Sequence, residues 1–209
     1  MHLAIIDYGM GNLRNVQKAF EHIGVNAAIS AQVGELRRAD GLVLPGVGAF
    51  GDAMHNLRTA GLADLIREQA GAGVPLLGIC LGLQLLFEES EEMGLHEGLG
   101  ILPGRVVRFE GELKVPHIGW NQLDLTPHGA AHPLLRGTPD HSYAYFVHSY
   151  YVVPAQADRV LTTTAYGVDF ASMASMGDVF GAQFHPEKSQ EVGLQLLRNF
   201  AGVVERKGR

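Results

Sequence analysis

The feature that most limits the fold is a recurring alternation. A short, wholly apolar run meets a glycine-bearing turn, and a segment with helical apolar spacing follows. The first three runs are HLAII (2–6), GLVLP (41–45) and VPLLGI (74–79). Apolar runs without polar alternation fit strands buried on both faces, as in parallel sheets. After the first run, Asp7, Gly9 and Gly11 make a turn. Asn12 is then placed to cap a helix with Leu13, Val16, Phe20 and Ile23 on one face and Gly24 at its end. The second run leads into the loop PGVGAFG, and residues 52–70 are helical in period with a break near Gly61. The third run passes almost without a loop into LGLQLLFEES (81–90), expected as a helix with EESEE (88–92) as its solvated end. Such strand–helix alternation predicts an α/β fold: an open, mostly parallel sheet with helices on both faces.

From Ile101 to about Tyr166 the pattern changes. ILPGRVVRF, VPHIGW and YAYFVHSYYVV are β-rich with polar or Gly/Pro-containing connections, so added antiparallel strands are expected. VFGAQFHPE (179–187) reads as a late strand, and Ser189 opens a last helix with Val192, Leu196, Leu197 and Phe200 on its apolar face. No repeat or linker divides the 209 residues, which fit a single domain over 1–209.

Several function classes fall away. A net charge of −6 offers no basic footprint for nucleic acid or an anionic membrane. The start, MHLAIIDYG, has no basic n-region or cleavage-site pattern, and the longest mostly apolar run, 74–87, is too short for a membrane span. A single cysteine permits no internal disulfide and no thiolate cluster. The expectation is a cytoplasmic protein.

That cysteine, Cys80, lies in GICLGLQ between the third strand and the following helix. In open α/β sheets ligands sit beyond the carboxyl ends of strands. A nucleophile on a sharp strand-to-helix turn is strained and closely packed, and Gly78 and Gly82 remove the side chains that would collide there. The helix N-terminus favours thiolate. Taken alone, Cys80 reads more simply as a small buried hydrophobe, as most lone cysteines are. HPE (185–187) supplies a base: His185 and Glu187 are two apart, so extended backbone points both to one side, at another strand end. The histidine would take the thiol proton and the carboxylate would hold its tautomer.

This combination resembles the class I, triad-type glutamine amidotransferases. GICLGLQ matches their nucleophile elbow, FHPE their His–Glu pair, and LPGVG (44–48) their oxyanion loop. The resemblance implies Cys80 as nucleophile, His185 as general base and acid, and Glu187 as its orienting carboxylate. It implies an oxyanion hole from the backbone N–H of Leu81 and one N–H of Gly46, Val47 or Gly48. Gln84, one helical turn after Cys80, suits the amino-acid end of glutamine, and the backbone of His148, Ser149 and Tyr150 would line the same pocket. IDYGMGNL at the start and PHIGWN (116–121) are similar to the glutaminase subunits of imidazole glycerol phosphate synthases. What that implies is a heterodimer with a (β/α)8-barrel cyclase in histidine biosynthesis, with Asn12 and Trp120 at the interface. For PHIGWN the competing reading is a core strand, since Ile118 and Trp120 share one face.

The rivals are another glutaminase on this fold, serving pyridoxal phosphate or anthranilate synthesis, a cysteine hydrolase or chaperone, and a catalytically silent regulatory subunit. GMGNLR (9–14) has Arg14 where a dinucleotide fingerprint needs its third glycine. His128, His132 and His141 are expected as scattered loop residues rather than ligands. Neither a metal nor an organic cofactor is expected.

Overall fold

The structure, a computed structural model, describes residues 1–111 and 113–208. The first apolar run forms β1 (Leu3–Ile6). Helix α1 (Leu13–His22) follows, with Val16 and Phe20 buried, and Gly24 at φ 79 turns the chain into β2 (Ala27–Ser30). Asn12 stands at the N-cap of α1, but its side chain makes no capping hydrogen bond. A short helix α2 (Val33–Leu36) leads to β3 (Gly41–Gly46). Helices α3 (Phe50–Thr59) and α4 (Leu62–Gly71) are separated at Gly61, whose left-handed backbone (φ 67) breaks the period where the sequence predicts. Then comes β4 (Leu76–Cys80).

Leu81 begins α5 (Leu81–Leu85) directly after Cys80. The helix expected over 81–90 ends there. Phe87–Ser90 is instead β5, paired antiparallel with β6 (His96–Glu97) and parallel with β7 (Leu102–Arg108). The local sequence favours helix, but pairing with β7 buries Phe87 and Ser90, and tertiary burial outweighs a weak propensity. EESEE is therefore no solvated helix end. Its Glu92 carboxylate accepts from the Phe50 N–H at 2.7 Å, at the start of α3.

The antiparallel addition is β8 (His117–Leu125), β9 (Ser142–His148), β10 (Tyr150–Pro154), β11 (Val160–Tyr166) and β12 (Val168–Met176). Between β8 and β9 a short helix α6 (Pro127–Ala131) forms where no helix was expected. Thr126 caps it by accepting from Gly129 N–H at 3.0 Å. The chain closes with β13 (Val179–Ala182) and α7 (Gln190–Lys207).

The sheet runs β2-β1-β3-β4-β13-β12-β10-β7-β5-β6, with β11, β8 and β9 branching from β12. Its first five strands are mutually parallel. Alternate residues of β1, β3 and β4 face opposite cores. Leu42, Leu44 and Leu76 pack with Met54, Leu57, Leu65 and Ile66 of α3 and α4. Leu3, Ile5, Val43 and Leu77 pack with Phe20 of α1 and Leu197 and Phe200 of α7. This is the open α/β sheet with helices on both faces and added antiparallel strands that the sequence predicts. Among the described residues no helix is long and apolar enough to cross a membrane.

Candidate active site

Cys80 ends β4 with φ 55 and ψ −111, a conformation that a residue with a Cβ adopts only under strain. Close packing holds it there. A Cβ on Gly82 would lie 1.8 Å from the Leu44 carbonyl oxygen, so only glycine lets α5 press onto β3. Gly46 pairs in register with Cys80, and a Cβ there would lie 2.6 Å from the Tyr8 hydroxyl and 2.9 Å from Leu81 Cβ. The Tyr8 hydroxyl in turn donates to the Pro45 carbonyl at 3.0 Å. Burial first, and Cys80 second, push its pKa far above the ordinary tyrosine value, so it stays a neutral donor.

The elbow opens onto a cavity of about 380 Å³. Val47, Gly48, Leu81, Gln84, Glu92, Val147 to Tyr150 and His185 line it with Cys80. Gly46 does not line it and sits behind, in β3. The Cys80 thiol lies 3.8 Å from the Val147 carbonyl and 3.9 Å from Gln183 Nε2.

His185 and Glu187 meet differently from the extended pairing the sequence predicts. β13 ends at Ala182, and Pro186–Lys188 is a 3₁₀ turn because Pro186 pre-sets a helical φ. The turn still brings Glu187 Oε1 to 2.8 Å from His185 Nδ1, with both side chains almost wholly buried. Burial alone would lower the His185 pKa. The neighbouring Cys80 and the Glu187 carboxylate outweigh it and raise the value to about 10. His185 Nε2 is buried and has no hydrogen-bond partner among the described residues. The arrangement holds an imidazolium beside a sulfur, which suits activation of a nucleophile and protonation of a leaving amine.

Gln84 faces the cavity from α5. Its Nε2 donates to the Tyr150 carbonyl at 2.9 Å and to Gln183 Oε1 at 3.1 Å. Ser149 accepts from Phe109 N–H at 3.2 Å, which anchors the turn between β9 and β10. The sequence reading missed Tyr8, Glu92 and Gln183. For Gln183 a signal existed: a polar residue inside the apolar run VFGAQF. For Glu92 there was none, because its place depends on β5.

Asn12 and Trp120 are both exposed, as is Ile118, so the face that Ile118 and Trp120 share is not core. Trp120 stacks edge-on against Tyr145, and Lys188 Nζ lies 5.7 Å above the Tyr145 ring. The three loop histidines do not form one site. His128 and His132 meet ring to ring, whereas His141 Nδ1 pairs with Asp124 at 2.7 Å beside Asp140, on the surface.

Comparison with known proteins identifies the family. Residues 4–203 match the family described as glutamine amidotransferase class-I. The imidazole glycerol phosphate synthase subunit HisH of Moorella thermoacetica is 53% identical over 206 residues, covering 99% of this chain and 97% of that protein. The HisH subunit of a Geobacillus species is 52% identical over 212 residues, covering 99% of each. A solved glutamine amidotransferase superposes with a TM-score of 0.76 at 20% identity, covering 98% of this chain and 100% of its own, and supports the fold. The chain belongs to the class-I glutamine amidotransferase family, among the HisH subunits of imidazole glycerol phosphate synthase.

Proposed function

We propose that residues 1–209 act as one glutaminase domain in which Cys80, His185 and Glu187 hydrolyse glutamine to glutamate and ammonia. The observation that carries this reading is the shared cavity. A cysteine on a strained strand–helix elbow lines it together with a histidine whose Nδ1 lies 2.8 Å from the Glu187 carboxylate. His185 takes the proton of the Cys80 thiol, the sulfur attacks the side-chain carbonyl carbon of glutamine, and the carbonyl oxygen takes up the negative charge. Leu81 N–H and one N–H of the Gly46–Gly48 loop receive that oxyanion, each worth roughly 3–4 kcal/mol. His185 gives its proton to the leaving nitrogen, ammonia departs, and a thioester remains. His185 then takes a proton from water, whose oxygen replaces sulfur at the carbonyl carbon and releases glutamate. The Glu92 carboxylate on the cavity wall suits the ammonium group of the substrate, with Gln84 and the backbone of His148, Ser149 and Tyr150 beside it.

The relatives' names call for a further subunit. We assign that role to a (β/α)8-barrel cyclase bound as a heterodimer, with the exposed Asn12 and Trp120 at the interface. Ammonia passing to it would convert phosphoribulosyl-formimino aminoimidazole carboxamide ribotide into imidazole glycerol phosphate and aminoimidazole carboxamide ribotide. A cytoplasmic location fits this biosynthetic role.

Cys80→Ala and Cys80→Ser should abolish glutamate release while leaving the fold and partner binding intact. A Cys80→Ala protein releasing glutamate at the original rate would remove the nucleophile from this scheme. Co-purification with the cyclase, followed by an ammonia-transfer assay, tests the partner.

A further inference from the structure

His148, which lines the cavity, is one of a buried histidine pair whose imidazoles the chemistry above does not use. His117 opens β8, His148 closes β9, and the two are paired in register. His148 Nδ1 lies 2.8 Å from the Tyr150 carbonyl, which can only accept, so Nδ1 carries the proton. The ring packs against Phe109 and Phe170, and burial above all holds its pKa down at about 3. It is therefore neutral, and Nε2 presents a lone pair. His117 Nδ1, 3.0 Å away, must donate to it. That leaves His117 Nε2 to accept from Asn121 Nδ2 at 3.2 Å. The Asn121 amide is oriented independently, since Nδ2 also donates to the Ala165 carbonyl and Oδ1 accepts from Gln122 N–H. Burial likewise lowers the His117 pKa, and its ring stacks on Phe146 and Tyr166. Every ring nitrogen is satisfied, and all the bonds run one way. They end on the carbonyl that also accepts from Gln84.

We infer that His117 and His148 are positioning residues of the glutaminase. Their one-way hydrogen-bond chain, from Asn121 to the Tyr150 carbonyl, fixes the Ser149–Tyr150 backbone and Gln84, against which the amino-acid end of glutamine is held. This rests on the glutaminase reading above. Two imidazoles in an apolar core cost desolvation that apolar residues of similar size would avoid. A fully satisfied polar chain offsets that cost by specifying one geometry at its end.

Two measurements on the full chain test this. Ring-nitrogen NMR of the wild type should find His117 and His148 both as the Nδ1–H tautomer at neutral pH. An Nε2–H tautomer on either ring breaks the chain and overturns the inference. The second measurement is alkylation of Cys80 by a diazo ketone analogue of glutamine, with iodoacetamide reporting the bare thiol. His148→Leu should raise the half-saturating analogue concentration about tenfold and leave the iodoacetamide rate within about twofold. His148→Asn keeps an N–H at the Nδ1 position and should recover most of that loss. Equal half-saturation in the wild type, the Leu variant and the Asn variant would refute the positioning role alone. A wild type that reacts with iodoacetamide but shows no saturable reaction with the analogue refutes the glutaminase reading, and the inference with it. Should the Leu variant not fold, the wild-type tautomers decide the matter.

Discussion

At the residue scale the proposed chemistry turns on three side chains, whose expected contributions are not equal. Members of a catalytic unit do not add, so His185→Ala should lose nearly as much glutaminase activity as Cys80→Ala. Glu187 orients and neutralises but makes no bond, so Glu187→Ala should lose about one to two orders of magnitude less. Steady-state glutamate release by the three variants decides this, and a Glu187 variant more damaged than the His185 variant reverses the roles. The His185 pKa of about 10 also has a measurable consequence. Cys80→Ala removes one of the two partners that offset burial, so NMR titration should find His185 losing its proton at lower pH in that variant. The folded value lies above the free value of 6.5, so the stability from this group is complete below about pH 6.5. It is lost as pH rises through about 10. Glu187→Gln should therefore cost more stability at the low end of that window than at the high end.

Element-scale consequences follow from how tightly α5 lies on the sheet. With the Leu44 carbonyl only 1.8 Å from a Cβ at position 82, Gly82→Ala must move α5 or β3. It should cost about 1–3 kcal/mol in denaturant unfolding and displace the elbow with its activity. Gly71 near the end of α4 is the contrast, since a Cβ there meets nothing within 4 Å. Gly71→Ala should stabilise by about 0.5–1 kcal/mol. Legibility at this scale followed the local signals. The breaks at Gly24 and Gly61 and the apolar runs of β1, β3 and β4 were readable because backbone sterics and burial act within a few residues. β5 and α6 were not. The first is made by pairing with β7, and the second depends on Gly129 fitting against Leu161, where a Cβ would meet the carbonyl oxygen at 1.9 Å.

For the whole molecule, the exposed face of β8 and the glycine loop after β3 carry the predictions. Trp120 is 47% exposed and Ile118 59%, on the face proposed above for the cyclase. Trp120→Ala should weaken cyclase binding by about 2 kcal/mol or more, read by titration calorimetry, with the melting temperature of the isolated chain unchanged. Gly46 and Gly48 flank Val47, and Gly48 already adopts φ 101, so we predict that the peptide units between them switch between two orientations. One presents an N–H to the oxyanion and the other a carbonyl. The isolated chain should hydrolyse glutamine slowly, and the cyclase with its nucleotide substrate should raise kcat far more than it lowers KM. By reciprocity a bound glutamine analogue should tighten the cyclase's hold on its own ligand. Equal kcat for the chain alone, the complex and the liganded complex would sink the switch.

By itself the sequence determined the α/β class, the strand–turn–helix elbow at Cys80 and the pairing of a histidine with a carboxylate two residues on. The first two depend on spacing along a few residues, whereas the His185–Glu187 contact forms through a 3₁₀ turn at Pro186 and not through the extended backbone that the spacing predicts. Only the tertiary structure decided which buried polar groups stand together: Tyr8 behind Gly46, Gln183 beside Cys80 and Gln84, and Asn121, His117 and His148 in line with Tyr150. Those partners come from strands far apart in the chain. Their protonation states follow from burial and from hydrogen bonds that exist only once the sheet has assembled.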